Sequence, residues 1–171
     1  MRLIALWRGI NVGKAKRIAM ADLKALLAEL GATNVSTLLN SGNAVFDVGR
    51  KLSADKLRRA VAERLGVDAG VVLKTAEEWA AIAAEQPVPE ADDPSRLLVA
   101  VAADAATLKA AEGIVTAGGE RFVVTPHAAY LWCAQGILES KAGVQLLKKL
   151  GDGGTTRNWA TVEKLNALAS K

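Results

Sequence analysis

Arg8, Gly9, Asn11, Gly13 and Lys14 stand within seven residues and together carry what is needed to hold an anion. Glycines let backbone N–H groups approach an oxyanion, and arginine and lysine supply the charge. The run Gly9-Ile10-Asn11-Val12-Gly13-Lys14 is one residue short of a nucleoside-triphosphate loop. Ala15 also stands where that loop needs a hydroxyl for Mg²⁺. The expectation is therefore an anion site without triphosphatase chemistry. A second polar set, Asn40, Ser41 and Asn43 around Gly42, offers hydrogen-bond donors. A third, Arg157 and Asn158, precedes an apolar helical stripe, where a helix N-terminus attracts anions. Plainer roles compete at each place: positive φ at the glycines, turn formation at Asn40 to Asn43, and a helix cap at Asn158.

The remaining reactive side chains make weaker cases. Ser140 and Lys141 are adjacent, and adjacent residues on a helix do not face each other. His127 and Cys133 are the only residues of their types. On one strand they would lie roughly 20 Å apart, at about 3.3 Å per residue, too far for a dyad. No His, Cys or carboxylate cluster has metal-ligand spacing, so no metal and no cofactor is expected.

Charge points back to the first loop. Residues 1–21 hold Arg2, Arg8, Lys14, Lys16 and Arg17 and no acid, whereas the rest of the chain is close to neutral. Focused charge of this kind draws anionic partners. A small phosphate- or carboxylate-bearing molecule is the leading expectation. A nucleic-acid module is the alternative, and a purely structural or interaction protein the third reading. The chain has seven aromatic residues, and Ala44 to Val48 lacks the aromatic motif on which RNA-binding sheets stack bases. The longest apolar run, Leu97 to Ala103, is far below the about 18 residues of a membrane span, and no leader-like segment follows Arg2. With a single cysteine, these features lead to an expectation of the cytoplasm and of no membrane partner.

The elements that must position these residues follow from periodicity. Leu3 to Trp7 reads as a buried strand. Met20 to Leu30 reads as a helix stopped by Gly31, and Val35 to Leu39 and Ala44 to Val48 as strands around the Asn40 turn. Ser53 caps a helix ending at Gly66, Val71 to Leu73 begins a strand, and Thr75 to Glu78 is a capping box for a trailing helix. The order is β-α-β-β-α-β plus a helix. Three of the four prolines follow, in Pro87 to Pro94, and the same order then repeats. In its second copy the strands are Arg96 to Ala102, Arg121 to Val124, Ala129 to Cys133 and Gly153 to Thr156. The helices are Ala105 to Ile114, Val144 to Leu150 and Trp159 to Ala169.

The fold class is α+β, with two ferredoxin-like (βαββαβ) α/β plaits, each with a trailing helix. The expected division is 1–86 for the first half, 87–95 for a proline-rich linker and 96–171 for the second half. Alternating strand direction places the loop 9–17, the turn 40–43 and the connection 66–68 on one rim of the first sheet.

At Arg8-Gly9-Ile10-Asn11-Val12-Gly13, Asn40-Ser41-Gly42-Asn43 and Thr156-Arg157-Asn158-Trp159, the chain resembles the domain-of-unknown-function family 1697 of bacterial proteins. The resemblance runs from Met1 to about Ala169. It implies two ferredoxin-like plaits and no particular activity. Lys14 and Ala160 depart from the family's more common glycine and asparagine.

Overall fold

A computed structural model describes residues 1–171. The chain divides into two compact units. One is Met1–Trp79 together with Leu165–Lys171, and the other is Ala80–Lys164. The proline-rich stretch 87–95 thus lies inside the second unit, with Val88 buried.

In the first unit the order is β1 (Arg2–Trp7), α1 (Met20–Glu29), β2 (Thr33–Thr37), β3 (Asn43–Asp47), α2 (Ala54–Leu65) and β4 (Val71–Thr75). Helix α3 (Ala76–Ala84) begins in this unit and ends in the second. The strands form an antiparallel sheet in the order β2-β3-β1-β4. β1 is central and buried on both faces, which is why its sequence runs apolar without alternation. One face packs Leu3, Ala5, Trp7 and Phe46 against Leu23, Leu27, Leu57 and Val61 of α1 and α2. Burying each such large side chain is worth about 1.5–3 kcal/mol.

The second unit repeats the wiring. β5 (Leu97–Ala102), α4 (Ala105–Ala110), β6 (Arg121–Val124), β7 (Ala129–Trp132), α5 (Lys141–Leu150) and β8 (Gly154–Asn158) give a sheet in the order β6-β7-β5-β8. Helix α6 (Trp159–Ala169) follows. Leu98, Ala100, Leu131, Leu108 and Leu146 form the core beneath α4 and α5. Two four-stranded antiparallel sheets with helices are the α+β pair of ferredoxin-like plaits that the sequence predicts. No helix is long and apolar enough to cross a membrane.

The departures are local. β2 starts and ends two residues earlier than its apolar pattern predicts, because Leu39 takes a left-handed φ of 62° and belongs to the turn. α4 stops at Ala110, short of the expected Ile114, and Gly113 is left-handed just beyond. β8 extends to Asn158, so Arg157 is a strand residue rather than part of a loop.

Candidate functional site

The first loop closes on itself through one side chain. Asn11, at φ 57°, accepts from the Ile18 N–H through Oδ1 at 2.8 Å. It donates through Nδ2 to the carbonyls of Ile18 and Asn40, each at 2.8 Å. Its N–H bonds the Lys16 carbonyl at 3.0 Å. Every polar group of the Asn11 amide is therefore spent on architecture, and asparagine is among the few non-glycine residues that accept this φ. Gly9 and Gly13 are also left-handed, with φ of 68° and 66°.

Neighbouring segments are drawn to the same rim. The Trp7 N–H bonds the Gly42 carbonyl at 2.9 Å, and the Arg8 N–H bonds the Gly70 carbonyl at 2.8 Å. Gly42 is required here. Its φ is 92°, and a Cβ would lie 2.6 Å from Ile10 Cδ1 and 3.1 Å from Trp7 Cβ. Asn43 is fully buried and donates to the Leu38 carbonyl at 2.8 Å and to Ser41 Oγ at 3.0 Å. The loop 9–17, the turn 40–43 and the segment leading from Gly66 to Gly70 thus share a rim, as strand alternation predicts.

What this rim presents outward differs from the motif that drew attention to it. Gly9, Gly13, Lys14, Lys16, Arg17, Asn40 and Ser41 are exposed, while Arg8 is half-buried and Asn43 wholly inside. A cavity of about 250 Å³ opens here, lined by Asn11, Arg17, Ile18, Ala19 and Asn40. Arg17 Nη1 donates to the carbonyls of Asn11 and Gly13 at 3.0 and 3.2 Å, which anchors one end of the guanidinium. The cavity also meets the start of α1, whose N-cap is Ala19 and has no side-chain cap. The other helices are capped: α2 by Ser53, α3 by Thr75, α4 by Asp104, α5 by Ser140 and α6 by Asn158. Arg17 and the Ala19 terminus were not singled out from the sequence. The available signal was an alanine where serine, threonine or aspartate usually precedes a helix.

Arg157 and Asn158 belong to the second unit and are described there. Arg157 is buried in β8, with Nη1 donating to Thr155 Oγ1 at 2.9 Å and to the Thr156 carbonyl at 2.8 Å. Burial pushes its pKa down to about 10, so it stays charged at neutral pH. Asn158 Oδ1 accepts from the N–H and Oγ1 of Thr161, both at 2.9 Å, and is the cap of α6.

Other reactive side chains in this unit find partners. Ser140 Oγ caps α5 through the Gly143 N–H and donates to Glu120 Oε2 at 2.6 Å. Cys133 is buried, and desolvation raises its thiol pKa. His127 Nδ1 meets Glu85 Oε2 at 2.9 Å, and Thr125 Oγ1 and Tyr130 OH donate to the other Glu85 oxygen. Burial alone would raise the Glu85 pKa, but these hydrogen bonds outweigh it and hold the carboxyl below its ordinary range. Glu85 stands 42 residues from His127, a separation that sequence spacing does not connect.

The family described as "Protein of unknown function (DUF1697)" matches residues 1–130, which contain both the Arg8 loop and the Asn40 turn. The chain belongs to this family. The DUF1697 match ends before Arg157 and Asn158. Among solved structures, the chain resembles the conserved bacterial protein SP0830 from Streptococcus pneumoniae. The two are 20% identical, the alignment covers 98% of each chain, and the TM-score is 0.76. At that identity the likeness establishes the fold shared with this DUF1697 chain. No curated protein matches it.

Proposed function

We propose that the first unit binds a small phosphate- or carboxylate-bearing ligand at the rim built by the Arg8 loop and the Asn40 turn. The observation that carries this reading is the uncapped N-terminus of α1 opening into a cavity beside Arg17. Unsatisfied N–H groups and the positive end of the helix dipole favour an anion there, and the free Nε and Nη2 of Arg17 add a charged donor face. The cavity, at about 250 Å³, is below the roughly 300–1,000 Å³ of drug-sized ligand sites. It suits a phosphoryl or carboxylate group rather than a whole nucleotide.

Lys14, Arg8 and Lys16 would raise the local potential, Asn40 and Ser41 would offer hydrogen bonds, and Gly9 and Gly13 would leave the backbone accessible. Asn11 and Asn43 would serve by holding the rim rather than by touching the ligand. We place the protein in the bacterial cytoplasm. A free, buried Cys133 supports a reducing compartment, and the SP0830 likeness supports a bacterial source.

Isothermal titration with phosphate monoesters and small carboxylates tests the proposal. Arg17→Ala should weaken any hit by about tenfold or more, and Arg8→Ala by less. Identical titrations for wild type and Arg17→Ala would reject this site. A second reading, nucleic-acid binding, draws on exposed Val12 and Leu39 beside Lys14, Lys16 and Arg17. It requires affinity for RNA or DNA with a log–log salt slope of about −2 to −3, for roughly three neutralised phosphates.

A further inference from the structure

The opposite end of the first unit carries a second concentration of charge. Strand β1 ends at the Arg8 loop, and α1 runs back, so the end of α1 meets the start of β1. There the Val48 N–H bonds the Met1 carbonyl at 2.9 Å, and Arg2 pairs with Asp47 at 3.1 Å. Two cavities of about 430 and 500 Å³ lie between this end of α1 and the start of α2, and both are lined by Leu30 and Lys56. Arg50 and Lys51 line the first, and Arg59 and Arg64 the second. Sharing Leu30 and Lys56, the two cavities adjoin as one groove with a cation where they meet.

Most of the positive charge in this groove is left without an ion-pair partner. Of the two carboxylates that line it, Glu29 is engaged by Arg64, and Glu63 makes no ion pair. Arg50, Lys51, Lys56 and Arg59 make no ion pair either, and all four are exposed. The floor is aliphatic, with Leu30 and Leu52 packed on the core. Four unpaired cations spread along a groove match a ligand with several negative groups in a row better than a single phosphate. Each cavity falls in the size range of small-molecule sites, and no aromatic side chain lines either one for base stacking.

We propose that this groove binds a chain of phosphoryl groups, carried either by a nucleoside polyphosphate or by inorganic polyphosphate. It shares no residue with the Arg17 cavity, so the two proposals stand or fall separately.

Titration of the full chain with tripolyphosphate, ATP and a ten-nucleotide RNA at low ionic strength tests it. Tripolyphosphate should bind, and Lys56→Glu and Arg59→Glu should each weaken it by about tenfold or more. The same losses should appear in the Arg17→Ala background, where the loop site is disabled, and unchanged circular dichroism should confirm that the variants fold. Affinities that are equal for ATP and tripolyphosphate would assign the inorganic source, and tighter ATP binding the nucleotide. The proposal is overturned if tripolyphosphate fails to bind, if Lys56→Glu binds it as wild type does, or if the RNA binds far more tightly than both.

Discussion

The two basic ends of the first unit carry similar charge on different supports. At the Arg8 loop the cations ride on irregular backbone, with left-handed residues at Gly9, Asn11, Gly13 and Lys16 and with Asn11 as the tie. At the α1–α2 groove they ride on helix α2 and the short segment before it, where no residue from Gly49 to Leu65 has positive φ. Helical spacing puts Lys56 and Arg59 on one face at no conformational cost. The difference teaches that the first end is a shaped site whose geometry must be maintained. The second is a field, set by how many charges are present.

The largest effects should separate shape from field. Gly42→Val places atoms against Ile10 and Trp7 at a left-handed position, and should destabilise the protein by about 3 kcal/mol or more. Asn11→Ala strands the Ile18 N–H and two carbonyls, and should cost about 2–3 kcal/mol. Arg50→Ala and Arg59→Ala should change stability by less than about 0.5 kcal/mol. Urea unfolding measures all four, and an Arg59→Ala cost matching that of Asn11→Ala would erase the contrast.

The same contrast explains what the sequence disclosed. Turn chemistry and strand alternation were enough to bring the Arg8 loop, the Asn40 turn and the Gly66 connection to one rim, because both are local or topological rules. They did not separate Asn11 and Asn43, which build the rim, from Arg17, which faces the cavity. That division depends on which way a side chain leaves a left-handed backbone. Arg157 read as a loop residue because β8 runs straight into α6 without a turn. The groove was hidden for another reason. Residues 50–64 hold six cations and two carboxylates, but the acids spread over the rest of the chain balance them in any long average.

A smaller effect concerns ionic strength. If the loop site takes one phosphoryl group and the groove several, binding of tripolyphosphate should weaken more steeply with salt than binding of a phosphate monoester. Screening acts on every charge pair formed at an exposed site. Titrations of both probes between 50 and 200 mM salt, roughly spanning the Debye lengths that matter here, measure the two slopes. Equal slopes would mean that the two ends recognise the same number of charges.

The smallest effect is the most diagnostic of the loop site. Asp68 lies on its rim, held by Arg58 through contacts of 2.6 and 3.2 Å, and it also feels Lys16. The Arg58 hydrogen bond keeps the Asp68 carboxyl below its ordinary 3.8, so it is ionised throughout neutral and mildly acidic pH. Because the folded pKa is depressed, whatever stability the pair supplies is present above 3.8 and is lost as pH falls through the folded value. Asp68→Asn removes a negative charge and releases Arg58. It should strengthen monoester binding about two- to threefold at pH 7, with no change for tripolyphosphate in the groove. Between pH 7 and 5 both proteins should lose monoester affinity together, because the ligand's second ionisation, near ~6, is what titrates. The ratio between them should narrow as the ligand passes from two charges to one, because a monoanion feels the Asp68 charge about half as strongly, and should close only when Asp68 itself takes up a proton. A ratio that closes completely between pH 7 and 5 would show that another group on the rim, not Asp68, sets the field at the loop.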